Sequence, residues 1–376
     1  MAGIYIHIPY CKKACHYCDF HFSVNSSNRA ELVAALLKEL KIRKDYLEDE
    51  IIETIYLGGG TPSILNEAEL SSILEQIHKQ YSVISDPEIT LEANPDDLKE
   101  EKVKMLQRSM VNRLSIGIQS FFQEDLDYMN RGHTALESLA CIDAVQQSGF
   151  DNISIDLIYG YPLLSNDKWK ENIDRAINLN IQHLSCYSMT VEPATALDAF
   201  IKKGKSAPMN DDQSATQFEY LMSTLASNGI NQYEVSNFSK PGFHSRHNSN
   251  YWNGSKYLGI GPSAHSFNLL SRESNISDNN QYIIQVNSQQ SAQKMHELLS
   301  PVNQMNELIM TSLRTVKGLD LNQVKILFGT QMENQLITQA ADYRLKGWMS
   351  TDPTKLALTS EGMRFCDLIT ASLFKN

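Results

Sequence analysis

Residues 3–20 read GIYIHIPYCKKACHYCDF, a short strand pattern that runs straight into three cysteines. Alternation with period two puts Ile4, Ile6 and Ile8 on one face and Tyr5 and His7 on the other. Pro9 ends the strand, and Cys11, Cys15 and Cys18 follow in the spacing C-x3-C-x2-C. A loop rich in reactive side chains directly after a first strand is how barrels of alternating strands and helices build their sites. This stretch therefore points both to a fold and to the place where its chemistry sits.

The same unit recurs downstream. Strand patterns at 4–8, 54–57, 88–93, 113–118, 152–158 and 183–188 alternate with helical periodicity at 31–46, 67–80, 98–107, 135–148 and 169–178. Such alternation predicts an α/β fold with a parallel sheet and right-handed crossovers. Six units predict a partial, six-stranded TIM-type barrel. Along its strands Leu114, Ile116 and Ile118 oppose Ser115, Gly117 and Gln119, and Ile153, Ile155 and Leu157 oppose Ser154 and Asp156. Ile89 and Leu91 likewise oppose Thr90 and Glu92. A closed barrel fills its interior with branched apolar residues. Here the apolar face belongs under the helices, which leaves an open barrel over 1–205 with a polar lumen.

Residues 206–295 read as an irregular extension of the barrel: a helix at 213–227, a stretch rich in Asn, Ser, Tyr and His, and a polar connection at 271–293. Residues 296–376 carry helical patterns at 305–316, 321–328 and 332–346, then a strand, a turn and a last helix. That order suggests a small winged-helix-like domain.

Composition narrows the classes. The chain has 376 residues, 42% hydrophobic and 20% charged, as in ordinary globular proteins. A net charge of −11 and a pI near 5.4 argue against a nucleic-acid groove. Residues 301–376 hold eight Lys/Arg against seven Asp/Glu, so the C-terminal helices lack a basic stripe and read as a packing lid. No run approaches the roughly 18 apolar residues that span a bilayer. The N-terminus lacks a basic n-region and its apolar stretch is broken by His7 and Pro9, unlike a signal peptide. Clustered cysteines beside scattered Cys141, Cys186 and Cys366 suit a reducing cytoplasm.

Three thiolates on one tight loop can ligate three irons of a cubane [4Fe–4S] cluster and leave the fourth iron open to an outside ligand. Zinc is the competing reading, with His7, His16 or His21 as a fourth ligand, although zinc sites usually pair two C-x2–4-C motifs. GGGTP at 58–62 follows the second strand; its glycines permit close backbone approach and its N–H groups can meet a ligand. Glu92, Gln119, Asp156 and Arg131 fall on strands or the loops after them. Each alone reads as structural; together they form one wall. A carboxylate suits ribose hydroxyls, and an arginine suits a carboxylate bidentately.

The cysteine spacing, with Tyr17 before the last thiol, resembles the radical S-adenosylmethionine superfamily. The resemblance implies reductive cleavage of S-adenosylmethionine to methionine and a 5′-deoxyadenosyl radical, and hence an electron donor. YIHIPYC, YLGGGTPS, LEANPD, RLSIGIQSF, DLIYGYP and GIGPSAHSF are similar to the oxygen-independent coproporphyrinogen III oxidase-like family over nearly the whole chain. Cofactor contacts from Tyr5, Tyr17, Gly59, Gly60, Thr61, Glu92, Gln119, Arg131 and Asp156 are implied.

The oxidases carry a further cysteine two residues after the third, where this chain has Phe20, and a long extension where it has ten residues before Cys11. Both departures resemble the HemW-type heme-chaperone branch, which HNSNYW at 247–252 also marks. That branch implies heme binding and delivery to recipient hemoproteins. The alternative is oxidative decarboxylation of coproporphyrinogen III. An exposed His247 beside Tyr251 and Trp252 would give a heme an axial ligand and a flat platform. Against that stands a hydrogen-bonded core histidine in an aromatic corner. His265 is a second candidate ligand. A homodimer and a peripheral membrane contact are compatible with a carrier; a nucleic-acid partner is not expected.

Overall fold

The computed structural model describes residues 1–288 and 292–375. Six strands carry the repeated unit: β1 (Ala2–Ile8), β2 (Ile52–Gly59), β3 (Val83–Ala93), β4 (Arg113–Gln119), β5 (Ile153–Tyr159) and β6 (His183–Ser188). They pair in parallel and in sequence order, as strand–helix alternation requires. Ile4, Ile6 and Ile8 are fully buried, whereas Tyr5 is half-buried on the opposite face. Helices Arg29–Ile42, Glu67–Gln80, Ala135–Gln147 and Asn166–Asn178 cover the outside. Two of them begin with capping boxes, Asn66 with Glu69 and Thr134 with Glu137, which satisfy N–H groups that a helix start leaves unpaired.

The sheet does not stop at six strands. Among the described residues it has 12, extended by β7 (Asn231–Glu234), β8 (Asn237–Ser239), β9 (Lys256–Ile260), β10 (His265–Phe267), β11 (Ser271–Asn275) and β12 (Gln293–Leu298). β9 runs parallel to β1, and β10, β11 and β12 follow antiparallel beyond it. β8 and β7 extend the β6 edge. β12 and β7 end the sheet at opposite edges, so the barrel is open.

The reading of 271–293 as an extended connection is corrected here. It contains β11, the helix Asn279–Asn287 and the start of β12; residues 289–291 lie outside the described residues. Some of its polar groups, Asn275 and the Tyr282 hydroxyl among them, are buried and hydrogen-bonded inside the protein. Buried Glu39 accepts from Asn275 Nδ2 (2.8 Å), the Tyr282 hydroxyl (2.5 Å) and the Gly261 N–H (2.9 Å). Polar composition reads as loop only when the partners are out of view.

Helices Pro301–Leu313, Leu321–Phe328, Thr330–Leu345 and Cys366–Leu373 and a short ladder of Leu319–Asp320 with Lys355–Leu356 make up the helical C-terminal part. Backbone bonds from Val235 N to Arg314 O (2.9 Å) and from Val316 N to Tyr233 O (3.2 Å) tie it to β7. Among the described residues no helix is long and apolar enough to cross a membrane.

Candidate cofactor site at the barrel mouth

Parallel strands put the loop after β1 at the carboxyl end of the sheet, and several tethers fix it there. The N–H of Cys11 donates to Ser23 O (3.0 Å) and that of His16 to Met129 O (3.1 Å). Asn130 Nδ2 donates to Ala14 O (2.7 Å), and Lys12 pairs with Asp96 (2.8 Å) and Asp97. Cys11, Cys15 and Cys18 are free thiols, partly exposed. Burial pushes the Cys18 thiol up to about 11, and the neighbouring charges of Cys15 and Cys11 push the same way. The other two sulfurs accept hydrogen bonds: Thr61 Oγ1 donates to Cys11 Sγ (3.4 Å) and Arg131 Nη1 to Cys15 Sγ (3.3 Å). Three soft, unpaired sulfurs with the half-buried Arg131 cation beside them fit a [4Fe–4S] cluster with one open iron.

Of the histidines named as a fourth ligand for zinc, His7 has both ring nitrogens hydrogen-bonded, Nδ1 with the Tyr5 hydroxyl (3.1 Å). His7 Nε2 is bonded to His21 O (2.9 Å), His16 Nδ1 to Tyr128 O (2.8 Å) and His21 Nε2 to Asn279 Oδ1 (2.8 Å).

GGGTP serves the cysteine loop more directly than the sequence suggests. The N–H of Gly60 donates to Ile8 O (2.9 Å), that of Thr61 to Tyr10 O (2.8 Å) and that of Gly59 to Glu92 Oε2 (3.1 Å). These donors are engaged within the protein, which corrects the expectation that they face a ligand. A Cβ on Gly60 would lie 2.8 Å from Ile8 O and from both Tyr10 N and O, so only glycine lets the two backbones meet.

The polar wall is present in the lumen. Glu92 accepts from the Tyr56 hydroxyl (2.8 Å), and burial pushes its carboxyl up to about 7. Asp156 accepts from Ser115 Oγ (3.3 Å) and is pushed up to about 6, mainly by burial; its charge also raises Glu92. Arg131 Nη2 donates to Asn94 Oδ1 (2.6 Å) and Gly117 O (2.8 Å), and Nη1 reaches the Tyr17 hydroxyl (3.4 Å). Gln119 is buried and has a left-handed backbone, φ +67°, a local strain that marks functional sites. The Tyr5 hydroxyl bonds His7 Nδ1 (3.1 Å) on the same inner face.

His247 lies at the other end of the barrel. It sits on a helix, Arg246–Trp252, capped by Ser245, whose first N–H groups donate to the buried Glu88 carboxylate (Arg246 N and His247 N, both 2.9 Å). Both ring nitrogens are taken, Nδ1 by Thr54 Oγ1 (2.8 Å) and Nε2 by the Tyr251 hydroxyl (3.0 Å). The ring stacks on Tyr56 (5.0 Å) and is 2% exposed, and burial lowers its pKa to about 3. The expected exposed heme ligand is thus a neutral core histidine plugging the barrel floor. His265, by contrast, is exposed at the mouth, near enough to His7 to lower that ring's pKa.

Comparison with known proteins gives the family and the fold. Residues 5–191 match the radical SAM superfamily and residues 299–365 the HemN C-terminal domain. The chain is 33% identical to heme chaperone HemW of Bacillus subtilis over 366 residues, covering 96% of each chain. It is 32% identical to heme chaperone HemW of Lactococcus lactis, with 95% and 93% covered. The chain belongs to the HemW family of the radical SAM superfamily. HemW of Escherichia coli is 36% identical over 70% of this chain and 69% of its own. Among solved structures, coproporphyrinogen III oxidase (HemN) from Escherichia coli shares the fold, with a TM-score of 0.86 at 23% identity, covering 100% of this chain and 90% of that one.

For a HemW-family chain, two site residues escaped sequence reasoning. Asn94 links Arg131 to Thr61, donating to Thr61 Oγ1 (3.1 Å), and Tyr56 orients Glu92. Both lie inside recognisable motifs, LEANPD and YLGGGTPS, so the signal was proximity to a residue already singled out.

Proposed function

We propose that this chain is a cytoplasmic heme-binding chaperone that carries a [4Fe–4S] cluster and S-adenosylmethionine and delivers heme to recipient hemoproteins. The observation that carries this reading is 33% identity to heme chaperone HemW of Bacillus subtilis across 96% of both chains. In this reading Cys11, Cys15 and Cys18 hold the cluster. Tyr5, Tyr17, Gly59, Gly60, Thr61, Glu92, Gln119, Arg131 and Asp156 line the S-adenosylmethionine site. When bound and supplied by an electron donor, the cluster and cofactor bring one-electron reduction to the mouth. The chain's own residues fix the loop, balance the thiolate charge through Arg131 and keep two carboxylates in a desolvated lumen. Phe20, 68% exposed beside Cys18, puts an aromatic ring where the oxidases bring a further sulfur.

The test is anaerobic reconstitution followed by heme titration and product analysis. The expected result is an iron–sulfur absorbance lost in Cys11→Ser, Cys15→Ser or Cys18→Ser, a Soret band on adding heme, and heme transfer to an apo-hemoprotein. Turnover of coproporphyrinogen III with methionine release would overturn the reading in favour of the oxidase.

A further inference from the structure

We propose that the cargo is held as a flat tetrapyrrole dicarboxylate in a second cavity, between the helix Arg246–Trp252 and the C-terminal helices, remote from the cysteine loop. This rests on the heme-chaperone reading and assigns its binding site. The cavity has a volume of about 680 Å³, within the roughly 300–1,000 Å³ of small-ligand sites. Tyr251 and Trp252 form one wall, Phe267 and Arg272 of the sheet extension a second, and Leu308 and Phe328 a third. Aromatic and aliphatic walls of this kind take a planar apolar ring face to face. Trp252 Nε1 is buried with no protein acceptor, an unmet donor in that wall.

The charges are also sorted. Arg272 is closed by Glu307 (Nη2 to Oε2, 2.5 Å) and by the Tyr257 hydroxyl (2.9 Å). The Asp320 carboxylate caps a helix, accepting from Asn322 N (2.8 Å) and Gln323 N (3.3 Å). Lys317 and Lys355 line the same cavity and take part in no ion pair among the described residues. Two unpaired ammonium groups beside an apolar slot match a ligand with two carboxylates at one edge.

Among the described residues no histidine, cysteine or methionine lines the cavity, and the Tyr251 hydroxyl is bonded to His247. Binding there rests on the ring face and the carboxylates, not on an axial histidine. A carrier that leaves the iron without a histidine ligand lets the recipient's own axial ligands capture it.

The experiment titrates the full-length protein with hemin and with iron-free protoporphyrin IX, following porphyrin absorbance and tryptophan quenching. Both ligands should bind within a few-fold of each other. The double variant Lys317→Glu/Lys355→Glu, both changes at the cavity rim, should weaken both by about tenfold or more, roughly 1.4 kcal/mol. Trp252→Phe should remove most of the quenching, and His265→Ala should leave both affinities unchanged. Hemin binding without porphyrin binding, or an unaltered affinity in the double variant, overturns the site and leaves the chaperone reading standing. Failure of the unmodified protein to bind hemin at all sinks the reading and the site together.

Discussion

Glu92 is placed by strand parity and tuned by its surroundings. It projects from β3 into the lumen, where the Tyr56 hydroxyl and the Gly59 N–H hold its two oxygens while burial raises its pKa to about 7. An acid whose folded pKa is raised contributes stability that is full below the unfolded value, near 4.5, and is lost as pH rises through about 7. Glu92→Gln should therefore flatten stability across pH 4.5–7 by roughly 1.4 kcal/mol for each unit of displacement. Thermal midpoints of both proteins without added S-adenosylmethionine check this; parallel curves would show that Glu92 is not desolvated. Glu92, Gln119 and Asp156 were legible because period two assigns a face without any tertiary information. Asn94 was not, because its role depends on Arg131 arriving from 37 residues away.

Elements matter here through how closely they approach. The cysteine loop and the GGGTP turn meet backbone to backbone, and Gly60 is the contact. Gly60→Ala would force a Cβ within 2.8 Å of three backbone atoms, none of which can rotate away. Overpacking of this kind costs about 1–3 kcal/mol. The variant should lower the urea midpoint accordingly and, by displacing Cys11, reduce iron incorporation on reconstitution. Unchanged iron content would show that the turn does not position the loop. The helix Arg246–Trp252 is a second case. Its seven residues carry a recognisable motif, yet nothing local says that Glu88 caps it or that Thr54 takes the Nδ1 of His247.

At the scale of the molecule, the C-terminal helices are stitched to the barrel through β7 and share the cavity with the floor helix. Three tryptophans report on the three regions: Trp169 in the barrel core, Trp252 in the floor helix and Trp348, stacked on Phe365 (4.3 Å), in the C-terminal part. If the stitching makes one cooperative unit, single-tryptophan variants should melt with midpoints within about 2 °C of each other, since about 1 kcal/mol shifts a large domain by only a few degrees. A separate, earlier transition for Trp348 would show that the C-terminal part unfolds alone.

The six-strand repeat, the cysteine loop and the polar lumen wall follow from the sequence itself, because periodicity and spacing are local properties that one chain displays in order. The tertiary structure decided the rest. It extended the sheet to 12 strands, turned a polar stretch into strands around Glu39, and buried the histidine of HNSNYW at the end of the barrel away from the cysteines. Each of those outcomes depends on hydrogen-bond partners distant in sequence, and a buried polar residue looks like a surface one until its partner is in place.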